Sequence, residues 1–124
     1  MDSNLRLRVG ATAGNLTADA TLTSVRIGPM NPQGGPFYLH VNVPSITGTG
    51  DTLDVELEFC DKLATTTQVY NQNMKQITAA GLYHTPFWTD EEYLQVKLNV
   101  TDNDTGHACS FGAVDVWIST SPLS

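Results

Sequence analysis

A chain of 124 residues with 15% charged side chains suits one domain, spanning 1–124, with a core of its own. Its net charge of −7 repels a phosphate backbone and argues against nucleic acid as a partner. The charge is uneven. The first 50 residues carry Arg6, Arg8 and Arg26 against Asp2 and Asp19, a net +1, whereas the remainder carries Lys62, Lys75 and Lys97 against eleven carboxylates, a net −8.

The first expected element is a strand over 4–10. Leu5, Leu7 and Val9 point one way, and Arg6 and Arg8 lie on the wet face. The N-terminal stretch MDSNLRLRVG has no apolar leader segment, and nothing reaches transmembrane length. The expectation is a protein made and folded in a cytosol, with no membrane partner. A second strand is expected over 21–27, followed by a rigid connection rich in Gly and Pro up to Pro36.

Three segments then alternate apolar and polar residues with almost no error. Over 36–43, Phe37, Leu39, Val41 and Val43 oppose Tyr38, His40 and Asn42. Over 52–60, Leu53, Val55, Leu57 and Phe59 oppose Asp54, Glu56 and Glu58. Over 93–100, Leu94, Val96, Leu98 and Val100 oppose Tyr93, Gln95, Lys97 and Asn99. A period of two fits a strand with one dry and one wet face, and no helix can use it. Gly and Asp around Thr47–Asp51 supply a turn. Further strands are expected over 66–71, 82–87 and 108–118, and Asp102–Gly106 reads as a hairpin loop between the last two long strands. Residues 65–80 admit either a strand and a turn or one helical turn.

About eight strands with frequent turns give the fold class: all-β, an antiparallel two-sheet sandwich or barrel. Parity supplies a core of Leu5, Leu7, Val9, Val25, Ile27, Phe37, Leu39, Val41, Val43, Leu53, Val55, Leu57, Phe59, Leu94, Val96, Leu98, Val100, Val114, Val116 and Ile118. Trp117, Asp115 and Phe111 fall outside on that parity, although a bulge at Gly112 would switch Phe111.

Residues for chemistry are sparse. His40, His84 and His107 lie on separate elements, and their plain reading is as wet-face or loop side chains. Two cysteines, Cys60 and Cys109, are expected as free thiols in a reducing compartment and are too few for zinc. No Gly-x-Ser-x-Gly elbow occurs. Asp54, Glu56 and Glu58 read as a solvated row, because glycoside chemistry needs a paired set in a cleft. Asp102–Gly106 has turn residues but lacks the downstream Glu of a calcium loop. The expectation is a protein that is not an enzyme and has no cofactor or metal. The aromatics Tyr83, Phe87, Trp88 and Tyr93 around Pro86 and the acidic run Asp90–Glu92 admit three readings: a sugar platform, a protein interface, or a cap on the sandwich core. Trp117, facing outward, is a further interface candidate.

The order of features resembles the small jelly-roll decoration, or cement, proteins on the capsids of tailed bacteriophages. The resemblance is carried by Thr23–Gly28 (TSVRIG), Gly34–Val41 (GGPFYLHV), Gly50–Leu57 (GDTLDVEL) followed by Asp61, and Glu92–Leu98 (EYLQVKL). The chain departs from that family at Glu91–Glu92, where a basic residue more often precedes the Tyr. The resemblance implies a structural protein of the virion, on the capsid exterior, partnered by the major capsid protein and by itself as a dimer or trimer. On this basis Arg6, Arg8 and Arg26 are expected to touch the shell, with Tyr83, Phe87, Trp88, Tyr93 and Trp117 as further interface residues. The alternative is a carbohydrate- or receptor-binding jelly-roll module of a virion.

Overall fold

The computed structural model describes residues 5–28, 34–60, 68–103 and 109–120, with only the backbone at 68 and 69. Nine strands and one short helix are described: β1 (Leu5–Arg8), α1 (Gly10–Ala13), β2 (Ala20–Thr21), β3 (Val25–Arg26), β4 (Phe37–Val43), β5 (Thr52–Cys60), β6 (Gln68–Asn73), β7 (Gly81–Phe87), β8 (Tyr93–Thr101) and β9 (Asp115–Ser119). They form two antiparallel sheets. Sheet A has the order β1-β9-β4-β7, and sheet B the order β2-β8-β5-β6, with β3 also pairing β8.

β2 and β3 share the same neighbour, so they count as one interrupted strand. The described residues then make eight strands, ordered 1-8-3-6 over 2-7-4-5. This is the strand order of a jelly-roll sandwich: the alternation pointed to a sandwich or barrel, and the resemblance implied the jelly roll.

The three alternating segments hold their register. Leu53, Val55, Leu57 and Phe59 of β5 pair with Val100, Leu98, Val96 and Leu94 of β8, and all but the half-buried Val100 are fully buried. Phe37, Leu39, Val41 and Val43 of β4 meet them from sheet A. β4, β5 and β8 therefore each send one parity into a single core, and burial of a large aliphatic side chain there stabilises the fold by about 1.5–3 kcal/mol.

The structure departs from parity in several places. Val9 is 40% exposed, because β1 stops at Arg8 and the chain turns into α1. Leu5, Leu7 and Val25 are only partly buried. Leu16, Leu22, Met74, Ile77 and Phe111 complete the core from loops, where strand parity does not apply. Phe111 is fully buried, since Ser110–Val114 is no strand and Gly112 takes a φ of 73°. β8 lies in sheet B and β9 in sheet A, so these two strands do not form the expected hairpin. Asp104–Gly106 and His107 lie outside the described residues. Gln68–Asn73 is a strand, not a helical turn.

Candidate functional site

Cross-strand pairs share a face, so the register defines the two outer surfaces. On sheet A one row runs across all four strands: Arg6, Trp117, His40 and His84. Tyr38, Pro86 and Ser119 lie on one side of it, and Asn42, Leu82 and Asp115 on the other. Arg6 lies over the Trp117 ring, with its guanidinium carbon 5.6 Å from the centroid. His40 stacks against Trp117 at 5.0 Å and 13°. His84 meets His40 edge-on, with the two Nδ1 atoms 2.5 Å apart. His40 Nε2 lies 2.6 Å from Ser119 Oγ, and both residues are fully buried on what is nominally an outer face. Leu82, by contrast, is 52% exposed.

The outer face of sheet B has the opposite character. Asp54, Glu56 and Glu58 form one row along β5, flanked by Asn99, Lys97 and Gln95 of β8 and by Asn73 and Asn71 of β6. Gln76 donates to both oxygens of Asp54, and Asn71 donates to Glu56. Glu58 is nearly buried beneath Lys97, whose ammonium lies 2.7 Å from Oε1. That bond, and then the charge of Glu58, raise the Lys97 pKa. The carboxylates line an open sheet face and are held by neighbouring amides and a lysine.

The interface candidates from sequence do not form one patch. Arg6 and Trp117 lie together on sheet A. Arg8 is withdrawn: a register shift between Arg6 and Arg8 turns its side chain inward, where it donates to the carbonyls of Val114 (2.7 Å) and Gly14 (3.0 Å). Burial lowers its pKa, and Asp115 partly offsets this. Arg26 is paired with Glu92 on the far side of the sandwich, beside Tyr93 on sheet B. Phe87 is fully buried, stacked on Phe37 at 5.1 Å and tilted against Phe59 at 5.5 Å. It is a core residue rather than an interface anchor, because it has the inward parity of β7. Tyr83 shares that parity, is half-buried, and donates its hydroxyl to the Ala79 carbonyl. Among the aromatic candidates Trp88 alone is well exposed, at 62%. It lies past the end of β7 against Gly35, where a Cβ would come within 2.7 Å of the indole.

Nearby, Tyr70 stacks on Phe59 and donates to Thr89 Oγ1 at 2.5 Å, and Gln72 donates to the Pro86 carbonyl at 3.3 Å. These bonds tie the β6 and β7 edges together. Cys60 and Cys109 are free and buried. Burial, and then the neighbouring Asp51, push the Cys109 thiol up to about 11.

The histidine pair is what the sequence reading missed. His40 and His84 are 44 residues apart, and only the long-range β4–β7 pairing joins them. Among the described residues no group of three or more His, Cys, Asp or Glu could hold a metal ion, and no helix is long and apolar enough to cross a membrane. No family model, curated protein or solved structure matches the chain.

Proposed function

We propose that this chain is a structural decoration protein that docks on the outer surface of a tailed-phage capsid and stabilises the shell. The supporting observation is the contrast between the two outer faces. Sheet B presents carboxylates, whereas sheet A presents Arg6, Trp117, the histidine pair, Tyr38 and exposed Leu82. A face with few charges, aromatic anchors and one arginine has the composition of a docking surface. The acidic opposite face then points to solvent and keeps the particle soluble. The role is structural rather than catalytic.

Self-association belongs to the same proposal. The β6–β7 side is closed by Tyr70 and Gln72. On the other side, β1 and β2 flank a hollow of about 410 Å³ lined by Leu7, Val9, Ala13, Leu22, Thr12 and Thr21, and this is the edge proposed for a second copy.

The test is co-sedimentation with decoration-free tailed-phage capsids, with light scattering of the free protein. Arg6→Glu and Leu82→Asp should each lower occupancy at least about fivefold, a loss of roughly 1 kcal/mol. Asn73→Lys on sheet B should leave it unchanged. Equal loss from all three, or from Asn73→Lys alone, refutes the assignment of sheet A.

A second reading is favoured by one observation. Trp88 (62% exposed) and Tyr70 (41% exposed) lie close together, with the Tyr70 hydroxyl 3.5 Å from the Trp88 carbonyl, and their exposed aromatic surface would suit a carbohydrate- or receptor-binding module. A glycan array that lights up with wild type and goes dark with Trp88→Ala would favour it over the capsid reading.

A further inference from the structure

The His40–His84 contact constrains how many protons the docking face can hold. Two ring nitrogens 2.5 Å apart accommodate one proton between them: one donates and the other accepts. On the far side of His40, Ser119 Oγ can either donate to Nε2 or accept from it, so both neutral tautomers of His40 are satisfied. Solvent reaches His84, which is exposed, and not His40, which is fully buried.

With both rings neutral, one Nδ1–H donates to the other Nδ1. The first added proton enters at His84; its Nδ1–H then donates to His40 Nδ1, and His40 turns its Nε2–H toward Ser119. The contact survives and becomes charge-assisted. A second proton would place N–H on both Nδ1 atoms, facing each other, with a charge buried under Trp117. No tautomer satisfies that state, and the contact must open.

We propose that His40 and His84 are a proton-sharing pair that regulates the sheet A face, keeping it assembled with no or one added proton and opening it with the second. The groups facing the pair, among the described residues, are Tyr38 on β4, Trp117, Ser119 and Asp115 on β9, and Leu82 and Pro86 beside His84 on β7. Arg6 reaches the row from β1 over Trp117. Asp115 Oδ1 accepts the Gly10 N–H at 2.7 Å, and Asp115 lies close enough to Arg8 to raise its pKa. Arg6 opposes the second proton, and Asp115 is already engaged.

The pair's effect on docking rests on the capsid reading; its titration does not. The test follows the imidazole Cε1 protons of the intact chain by NMR from pH 8 to pH 4, in wild type and in His84→Asn, which keeps a polar atom near the Nδ1 position and cannot titrate. Wild type should show two steps for the pair separated by more than about one pH unit. In His84→Asn, His40 should show a single step.

In a Trp88→Phe background, Trp117 emission should change with the lower step in wild type. If acid unfolds the protein at that step, His84→Asn must lower the unfolding midpoint. Two histidines that titrate independently, a His40 curve indifferent to His84→Asn, or an unmoved acid midpoint each overturn the pair. Capsid co-sedimentation over the same range should fall at the lower step in wild type and persist in His84→Asn. Two-step titration with no capsid binding at any pH would sink the capsid reading and leave the pair standing.

Discussion

Phe87 separates the core reading of the aromatic group from the two binding readings, and replacing it with alanine has a calculable cost. The ring is fully buried at the end of β7, stacked on Phe37 at 5.1 Å and set against Phe59 at 5.5 Å. Phe→Ala in a core costs about 3–5 kcal/mol through lost transfer energy and the cavity left behind. The two ring contacts place this site at the upper end, since each aromatic pair adds about 0.5–1.5 kcal/mol. For a domain of this length, 1 kcal/mol corresponds to about 4 °C, so the melting temperature should fall by about 15 °C or more. Total stability of such domains is about 5–15 kcal/mol, so Phe87→Ala survives only if the wild type lies above the low end. Phe87→Leu keeps most of the volume and should cost about 1–1.5 kcal/mol. Trp88→Ala, one residue on and 62% exposed, should cost no more than about 0.5 kcal/mol. Urea unfolding followed by circular dichroism measures all three. Phe87→Ala within 1 kcal/mol of wild type, or Trp88→Ala costing more than Phe87→Ala, would refute the placement of Phe87 in the core.

Lys97→Met leaves the Glu58 carboxylate nearly buried with its ammonium partner gone; urea unfolding should show a loss of about 1–3 kcal/mol, and adding Glu58→Gln should recover part of it. Stability should also fall at alkaline pH. The folded state holds the Cys109 proton until about pH 11, whereas the unfolded thiol releases it near 9, so the folded state binds the extra proton and loses ground between those values. The raised Lys97 pKa acts in the same direction above the ordinary lysine value, and thermal melts from pH 8 to pH 11 check the slope. At pH 8 roughly one Cys109 in a thousand is thiolate, so iodoacetamide should label it far more slowly in native than in unfolded protein, as mass spectrometry would show. Gly10→Ala would bring a Cβ within 2.2 Å of the Ala113 carbonyl oxygen, and differential scanning calorimetry should show a loss of about 1–3 kcal/mol.

The fold was legible wherever strands are long and half-buried. In β4, β5 and β8 a one-residue register error would drive Asp54, Glu56 or Lys97 into the core, so the pattern admits one arrangement. It was illegible where strand parity ends. Phe111, Leu16 and Ile77 are buried from loops, and the shift after Arg6 turns Arg8 from the wet face to backbone carbonyls. The sheet A row was hidden for a different reason. Arg6, His40, His84 and Trp117 each sit at an outward or ambiguous position, and only pairings between distant strands set them side by side. Charge alone did not show that Arg26 pairs with Glu92, which lies 66 residues away.

The most direct test of the docking assignment is hydroxyl-radical footprinting of the protein free and bound to capsids, read residue by residue. Sheet A docking predicts protection of Trp117, Tyr38 and Leu82 on the capsid, with Tyr93 on sheet B unchanged. Protection of Tyr93 with Trp117 and Leu82 still open to oxidation would contradict it.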